Sequence, residues 1–471
     1  MSKNKSKNKK KFVGAHPSKN PMKEILRINK MLNSINVDEN VNSAITKVNE
    51  LNNKILENNS VQVASQILEN NTVIKSFTDD SYHIPTYVEE GPVQIVNKPF
   101  VIGYLKDYGG CGHFRMVYPM NLINSRFSFS GKINCTLFPR MLVQDDLIPH
   151  VRSFVFQRPI GEESTYVINS YKKFQAQYQY KLIAELDDYV FEVPEYHPAY
   201  NTNNVEKTRS LLVNLAKMDE IIVSTENLKN GLVELGVTNK ITVIENYLPK
   251  HLYQTDVKRF RFTDIEKPTI AYTGSDYHYN NDTKNSGDFL ENVRTFISKN
   301  IEKYNFIFFG NAPSFLKEHA DNGKLVIVPF TNPVEYATNL KKYRADFVIA
   351  PLEENIFNSC KSDLRYLESA AMGSVFIGSK FTGELSSPYQ NAPITFTKDS
   401  SVEDLENIIS KYSNKDEFNG MLSEQYDFLD NRWLENNTNL FKYIEVYSSG
   451  IKGLTVAENH SQYNQVKDFL K

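Results

Sequence analysis

Short apolar runs alternate with longer amphipathic stretches over most of this chain, and that alternation restricts the possible fold more than any other feature. The runs are rich in Ile, Val and Phe, and a stretch with helical spacing follows each of them. Strands separated by helices pair in parallel, because a parallel pair needs a long crossover connection. The first set of predicted strands comprises residues 100–105, 154–156, 182–186, 221–224 and 241–244.

A second set of predicted strands follows an interruption at residues 249–268, which contains no clear strand pattern. This set comprises residues 269–273, 306–309, 325–328, 347–350 and 375–377. The pattern predicts an α/β fold with two doubly wound, Rossmann-like domains that bind ligands in the cleft between them. We expect the first domain at 96–255, the second at 256–435, and a closing C-terminal helix and tail at 436–471.

The N-terminal 95 residues have a different character. Residues 1–20 carry six Lys within the first twelve positions and no apolar periodicity, which predicts a disordered basic tail. Such a tail either keeps the chain in solution or binds a polyanion. Residues 21–95 predict a helical extension and a linker. The helices of this extension either pack on the rest of the chain or mediate self-association.

Composition narrows the class of protein. The formal net charge of the 471 residues is -2, which gives the chain no overall attraction to nucleic acid or to anionic membranes. Three cysteines lie far apart at positions 111, 135 and 360, and this usage is typical of a reducing compartment. No run reaches the roughly 18 apolar residues that a membrane span needs. We therefore predict a soluble, cytoplasmic protein.

The most informative segment is 345–379, in which a strand, a polar loop and a helix follow one another. The helix is predicted at 361–372, where Gly373 ends it. The loop after a strand and the first turn of the next helix lie at the ligand-binding edge of an open α/β sheet. Free backbone N–H groups and the positive end of the helix dipole make that position suitable for a diphosphate.

Four polar side chains of this segment are candidates for contact with such a ligand. Lys361 adds a cation at the helix start, Ser362 a hydroxyl and Asn358 an amide. Glu368 lies two turns further on the same helix face, so its carboxylate is placed to accept hydrogen bonds from ribose hydroxyls. The alternative is an ordinary amphipathic helix with Lys361 and Glu368 on its surface.

The run N-x-x-K-S-x-x-R-Y-L-E-x-A-A-x-G-x-V in this segment resembles the donor-binding helix of retaining, family-four-like GT-B glycosyltransferases of the prokaryotic and phage type. The resemblance implies a nucleotide-sugar co-substrate without a further cofactor or metal, with Glu368 on the ribose and Lys361 at the diphosphate. Many members carry another Glu eight positions before the ribose Glu, where this chain has Cys360. Asn358 is the candidate to occupy the space that this Glu side chain fills in those members.

A glycine-rich loop follows the first predicted strand, in the sequence GYLKDYGGCGHFRMVYPM. Gly110 and Gly112 allow a ligand to approach the backbone closely, and the loop resembles the one that closes over donor and acceptor in the same enzymes. His113 is a candidate catalytic residue and Arg115 a candidate acceptor contact, although a structural role fits either side chain equally well.

Two adjacent carboxylates, Asp187 and Asp188, end the third strand predicted in the first domain. Neighbouring side chains on a strand point to opposite faces, so one of the two is expected to face the cleft and orient or deprotonate the acceptor hydroxyl. We take Asp188 as the catalytic candidate and Asp187 as an acceptor-side residue. A helix cap or an ion pair is the alternative, and a metal site is disfavoured because adjacent side chains diverge.

The sequence YTGSDYHYNND resembles the glycine-rich turn after the first strand of the donor domain. In that turn Gly274 and Ser275 are expected at the donor, together with His278, and Lys284 is the nearest basic residue. Two acceptors remain open: a surface glycan and a hydroxymethylated base in phage DNA, the latter implying the host cytoplasm. The other hypotheses are a non-catalytic nucleotide-sugar-binding or scaffold protein and an epimerase, which lacks support because no G-x-x-G-x-x-G start is present.

Overall fold

The structure is a computed structural model that describes residues 100–127, 133–141, 145–200, 205–255, 258–275, 278–279 and 287–448. All of these residues belong to one compact unit, Tyr87–Lys471. The predicted basic tail at 1–20, the predicted helical extension at 21–95 and Lys284 lie outside the described residues, as does the tail after residue 448.

The first half of the described chain forms a six-stranded sheet whose strands all pair in parallel. The strands are β1 Phe100–Tyr104, β2 Asn134–Phe138, β3 Val151–Gln157, β4 Lys181–Leu186, β5 Glu220–Val223 and β6 Lys240–Val243. Their order in the sheet is β2-β1-β3-β4-β5-β6. The helices are α1 Tyr118–Phe127, α2 Glu162–Tyr178, α3 Val205–Leu215, α4 Glu226–Glu234 and α5 Lys250–Tyr253. A helical turn, Gly110–Gly112, and a π-helical turn, His113–Val117, lead into α1.

The second half forms another parallel sheet of six strands, in the order β12-β11-β10-β7-β8-β9. Its strands are β7 Thr269–Tyr272, β8 Asn305–Phe309, β9 Val326–Val328, β10 Phe347–Ala350, β11 Val375–Ser379 and β12 Thr395–Phe396. The helices are α6 Glu291–Lys299, α7 Lys317–Asp321, α8 Pro333–Tyr343, α9 Ile356–Ser359, α10 Leu364–Met372, α11 Val402–Tyr412, α12 Lys415–Asp430 and α13 Asn437–Ser448.

Local sequence explains where several of these helices begin and end. The Thr225 hydroxyl accepts a hydrogen bond from the Leu228 amide and so caps α4, which begins at Glu226. At the other end of a helix, Gly373 adopts the left-handed conformation (φ +71°) and stops α10, as expected.

Aromatic side chains fill much of both cores. In the first half, Phe154 stacks on Tyr171 with a centroid distance of 3.9 Å, and both rings are buried. In the second half, the ring centres of Phe289 and Tyr272 are 4.6 Å apart, and both rings belong to the buried core. Such rings bury large apolar areas, which explains how a chain rich in Phe and Tyr supports two sheets.

The described part of the chain ends with α12 and α13, and α13 lies in the segment 436–471, where the closing helix is predicted. The final helix α13 packs against α1 and β3 of the first half. There the Lys181 ammonium donates a hydrogen bond to the Val446 carbonyl, with a nitrogen–oxygen distance of 3.1 Å. The chain therefore returns from the second half to the first and ties the two together.

The two sheets confirm the predicted fold class of two Rossmann-like domains that face a cleft, which is the GT-B arrangement. Segments that follow β5 contact segments that follow β10, so the carboxyl ends of the two sheets face each other. None of the helices in the described part of the chain combines the length and the apolar character needed to cross a membrane.

Candidate functional site

The strand orders locate the edges at which ligands bind in folds of this kind. In the first sheet the order reverses between β1 and β3, and in the second sheet it reverses between β7 and β10. At such a reversal the connecting loops leave in opposite directions and open a crevice at the carboxyl ends of the strands. The loops after β1, β3, β7 and β10 therefore line the expected ligand-binding edges.

Loops from the two halves meet directly at this level. The Thr225 hydroxyl donates to the Cys360 carbonyl over 2.8 Å, and the Asn227 amide donates to the Ser359 carbonyl over the same distance. The Asn246 amide donates to the Ser362 hydroxyl over 2.7 Å. Ser362, a predicted donor contact, is therefore also a link between the two halves.

Lys361 lies in the turn between α9 and α10, not in a helix. The predicted helix start at 361 is wrong, because Asp363 is the residue before the first helical position and α10 begins at Leu364. Lys361 and Glu368 are thus not two turns apart on one helix. The Lys361 ammonium lies 4.6 Å from the centre of the Phe357 ring. Burial lowers the pKa of Lys361, and the carboxylates of Asp188 and Asp288 oppose that shift.

Glu368 lies on α10 and is 4% exposed. Its Oε1 accepts a hydrogen bond from the Tyr253 hydroxyl over 3.2 Å, and its Oε2 accepts one from the Tyr336 hydroxyl over 3.3 Å. Burial raises the pKa of Glu368 to about 7, although both hydroxyls stabilise the ionised form. The carboxyl is therefore fixed between two tyrosines and titrates near neutral pH.

Arg365 is a cation of this site that the sequence reasoning did not single out. It lies one turn before Glu368 on α10, and its guanidinium is 5.3 Å from the centre of the Tyr272 ring. A side chain at Gly274 would lie 2.5 Å from its Nη2 atom, so Gly274 leaves the space that the guanidinium occupies. Its Nη1 atom is buried without a hydrogen-bond partner among the described residues. The signal was present in the quoted run, since helical spacing puts Arg365 on the face of Glu368.

Asn358 is held in a buried network around Asp288, which the sequence reasoning also missed. The Asn358 amide donates to Asp288 Oδ1 over 2.7 Å and to the Tyr196 hydroxyl over 2.9 Å. Tyr196 itself donates to the same carboxylate oxygen over 2.7 Å, and the Glu353 amide donates to it over 2.9 Å. Asn358 therefore supports the loop after β10 and ties it to the first half.

His278 is the partner of the other Asp288 oxygen. Its Nδ1 lies 2.6 Å from Oδ2, so the ring donates through Nδ1 to the carboxylate. Burial lowers the pKa of His278 well below its ordinary value, against the effect of Asp288, and the ring is neutral at pH 7. His278 follows the turn of Gly274 and Ser275 after β7, where the donor-domain turn was predicted.

A second group of charges lies at the carboxyl edge of the first sheet. The Arg158 guanidinium binds Asp187 Oδ1 through Nε and Asp188 Oδ2 through Nη2, both over 2.6 Å. Its Nη1 is 3.5 Å from Asp107 Oδ2. Sequence reasoning brought Asp187 and Asp188 together but missed Arg158, because nothing local links it to carboxylates 29 and 30 residues away.

Cys111 lies beside these two carboxylates, and one potential ligand atom from each of the three residues falls within 4.8 Å of the others. A metal ion prefers carboxylates that are not already neutralised. Here the Arg158 guanidinium supplies the compensating charge to both Asp187 and Asp188. Burial also raises the pKa of the Cys111 thiol well above its ordinary value, which makes it a poor ligand.

The glycine-rich loop after β1 starts a helix at this edge, as predicted. The His113 ring donates through Nδ1 to the Gly109 carbonyl over 2.9 Å, which leaves Nε2 for other partners. Gly112 packs against the Asp107 backbone, whereas Gly110 has open space where a side chain would be. Arg115 is fully buried, and its Nε donates to Glu185 over 2.6 Å. Arg115 is therefore a core ion pair, and the predicted acceptor contact has no access to solvent.

Comparison with known proteins finds similarity to several solved structures. No family model matches this sequence, and no curated protein matches it significantly. A sucrose-phosphate synthase from Thermosynechococcus elongatus matches 74% of this chain and 98% of its own, with 11% identity and a TM-score of 0.48. Anabaena HepE, solved with UDP and glucose, matches 75% of this chain and all of its own (100%), with 10% identity and a TM-score of 0.49. UDP-GlcNAc 2-epimerase from Methanocaldococcus jannaschii matches 70% and 98%, with 11% identity and a TM-score of 0.36.

Proposed function

We propose that this protein is a glycosyltransferase that moves a sugar from a nucleotide-sugar donor to an acceptor hydroxyl, without a bound metal and with retention at the anomeric carbon. The observation that carries the proposal is the position of Lys361. Its two neighbours in the chain join the halves, because the Cys360 carbonyl accepts a hydrogen bond from the Thr225 hydroxyl and the Ser362 hydroxyl accepts one from the Asn246 amide. The carboxylates of Asp188 in the first half and Asp288 in the second both act to raise the pKa of its ammonium. A cation at this place lies between a donor and an acceptor.

The donor side of the site consists of Lys361, Arg365 and Glu368. Negative charge grows on the departing diphosphate as the glycosidic bond breaks, and fixed cations stabilise that charge in a site that excludes water. Lys361 and Arg365 supply two such cations. They repel each other, since the charge of Arg365 lowers the pKa of Lys361. The Glu368 carboxylate, oriented by two tyrosine hydroxyls, accepts hydrogen bonds from the ribose.

The acceptor side is the carboxyl edge of the first sheet. Asp187 and Asp188 follow β4 at this edge, and His113 begins the π-helical turn that follows β1. One of the two carboxylates accepts a hydrogen bond from the acceptor hydroxyl. In a retaining reaction the incoming hydroxyl attacks the face that the leaving group vacates. A donor phosphate oxygen then takes the proton, so we assign no nucleophile to the protein.

The first experiment measures donor hydrolysis and transfer with a panel of nucleotide sugars. Replacing Lys361 or Glu368 by Ala is expected to lower turnover by roughly a hundredfold or more, the usual cost of losing one group that stabilises transition-state charge. Lys411→Ala and Glu403→Ala are matched controls, because both side chains are exposed on α11, which packs mainly on α6 and α12, and should leave turnover unchanged.

The result also separates the proposal from its alternatives. Wild-type turnover in either site variant would reject the site. Tight binding of a nucleotide sugar without hydrolysis or transfer would instead indicate a non-catalytic binding protein. An isomerised sugar nucleotide, identified by mass spectrometry and NMR of the product mixture, would indicate an epimerase.

For the acceptor we propose a glycan rather than DNA. Three carboxylates, those of Asp107, Asp187 and Asp188, surround one guanidinium at the acceptor edge, and a DNA backbone needs a basic surface instead. Transfer to oligosaccharides is expected to change little between 50 mM and 200 mM salt. Transfer to hydroxymethylated DNA with a steep loss of affinity over the same range would favour the DNA acceptor.

A further inference from the structure

The carboxyl edge of the first sheet contains two adjacent carboxylates and one guanidinium. We infer that Arg158 is a positioning residue that gives the two carboxylates different roles, so that Asp187 is a fixed anchor and Asp188 is the group that receives the acceptor hydroxyl. This inference rests on the proposed glycosyl transfer. Asp188 is thus the member of the pair that contacts the acceptor.

The geometry of Arg158 is unusual for a single side chain. Each of its three guanidinium nitrogens is directed to a different carboxylate: Nε to Asp187 over 2.6 Å, Nη2 to Asp188 over 2.6 Å and Nη1 to Asp107 over 3.5 Å. These partners follow β4 and β1, and Arg158 itself follows β3. The guanidinium thus bridges the point at which the strand order reverses, where a ligand would enter.

The backbone at Arg158 is held in a conformation that an arginine rarely adopts. Its φ is +41°, in the left-handed region, and its amide donates to the Glu185 carbonyl over 2.9 Å. The neighbouring Gln157 side chain accepts hydrogen bonds from the amides of Lys106 and Asp107, over 3.1 and 3.0 Å, and so fixes the loop that carries Asp107. Such backbone strain persists where the surrounding structure imposes it, and it concentrates at functional sites.

The two carboxylates differ in their surroundings. The Asp187 side chain is 6% exposed, and the main-chain carbonyl of this residue accepts a hydrogen bond from the Ser224 hydroxyl over 3.0 Å. Asp188 is 25% exposed, and no described residue donates a hydrogen bond to its second oxygen, Oδ1. An acceptor hydroxyl therefore finds an exposed oxygen on Asp188, whereas the Asp187 side chain is almost completely buried beside Arg158.

Electrostatics support the same division. The charged and titratable groups that act on Asp188 are Asp187, Arg158, Lys361, Asp107, Cys111 and Cys360. Burial and the Asp187 carboxylate raise the pKa of Asp188, while Arg158 and Lys361 oppose the increase. For Asp187, burial also favours the neutral acid, but the contact with Arg158 outweighs it and the pKa lies below its ordinary value. Arg158 thus keeps Asp187 ionised and limits the pKa of Asp188.

The test is the pH profile of sugar transfer in wild type and in variants of the pair. In wild type, transfer falls at acid pH in two steps: one limb near pH 7 comes from Glu368 and is retained by every variant below, and the other comes from Asp188 as it takes up a proton and is the limb followed here. Arg158→Gln is expected to move this acid limb to higher pH by about one unit or more, because a nearby opposite charge has been removed. Arg158→Lys, which keeps the charge but cannot reach both carboxylates, should move the limb less. Nucleotide affinity should stay within about twofold, since Arg158 belongs to the acceptor edge.

The carboxylate variants then separate the two roles. Asp188→Asn should remove the acid limb, whereas Asp187→Asn should move it to lower pH because a like charge is lost. An acid limb that disappears in Asp187→Asn, or that stays in place in both Arg158 variants, would overturn the inference. Arg344→Gln is the matched control: Arg344 is also left-handed (φ +35°), but its guanidinium donates to the Lys341 carbonyl, so the profile should not move.

A second measurement makes failure of this inference distinct from failure of the proposed function. NMR of protein labelled with ¹³C at Asp carboxyls, with Asp188→Asn for assignment, gives the Asp188 titration without any substrate. An upward shift in Arg158→Gln, larger than that in Arg158→Lys, supports the electrostatic role of Arg158 even if no donor is turned over. Transfer in wild type with no shift in either measurement rejects Arg158 as a positioning residue and leaves the enzyme intact.

Discussion

Glu368 shows how single residues at this site combine burial with specific partners. Its carboxyl is almost completely buried, yet two tyrosine hydroxyls from different helices donate to it. Burial of a charged group disfavours its ionised form, and hydrogen bonds to the charged form favour it. The result is a carboxyl with a pKa of about 7, poised for a ligand that can add further donors.

We predict a pH-dependent stability difference between wild type and Glu368→Gln. The folded-state pKa of Glu368 is about 7 and exceeds the ordinary value of 4.5, so the folded protein binds the proton more tightly. Wild-type stability is therefore fully present below pH 4.5 and falls, relative to the variant, as the pH rises to about 7. The relative loss is on the order of 3 kcal/mol. Urea unfolding between pH 4.5 and 8 measures it, and a constant difference would contradict the assigned burial.

At the scale of elements, the loop between β1 and α1 depends on one close approach of backbone. A side chain added at Gly112 would lie 1.7 Å from the Asp107 carbonyl oxygen, a distance that no relaxation of a side chain can relieve. Gly110, two positions earlier in the same helical turn, has no atom within 4 Å of the equivalent position. The two glycines look alike in the sequence but have different reasons to be there.

The glycine pair gives a matched prediction. Gly112→Ala is expected to lower the free energy of unfolding by roughly 3 kcal/mol, because the helical turn must move away from Asp107. Gly110→Ala should leave stability unchanged or raise it slightly, since Ala is the better helix former. Thermal and urea unfolding of both variants measure the difference. Equal effects would show that the close approach at Gly112 does not exist.

Elements were predictable from the sequence where the pattern is local. Ten apolar runs correspond to ten observed strands, but β2 and β12 were missed because Asn134–Phe138 mixes polar with apolar residues and Thr395–Phe396 is only two residues long. Lys361 and Glu368 could be selected from one segment. Arg158 and Asp288 could not, since their partners come from distant parts of the chain and only tertiary structure brings them together.

At the scale of the whole molecule, hydrogen bonds between polar side chains connect the two halves. The buried network of Tyr196, Asp288 and Asn358 joins a loop after β4 to two loops of the second half. Helix α13 adds a second connection by packing on the first half. Two halves connected in this way should unfold together, and their relative position fixes how far Asp188 lies from Lys361.

The hydroxyl of Tyr196 provides the sharpest test of that connection, because it both donates to Asp288 and accepts from Asn358. Tyr196→Phe leaves a fully buried carboxylate without one donor and a buried amide without one acceptor. We expect a loss of roughly 2 kcal/mol in the free energy of unfolding, measured by urea denaturation. Tyr108→Phe is the control, since that exposed hydroxyl donates only to Pro139 within the first half and should cost less than about 0.5 kcal/mol. If the two variants lose the same stability, the network does not hold the halves together, and the distance between the donor and acceptor sides must be set by α13 instead.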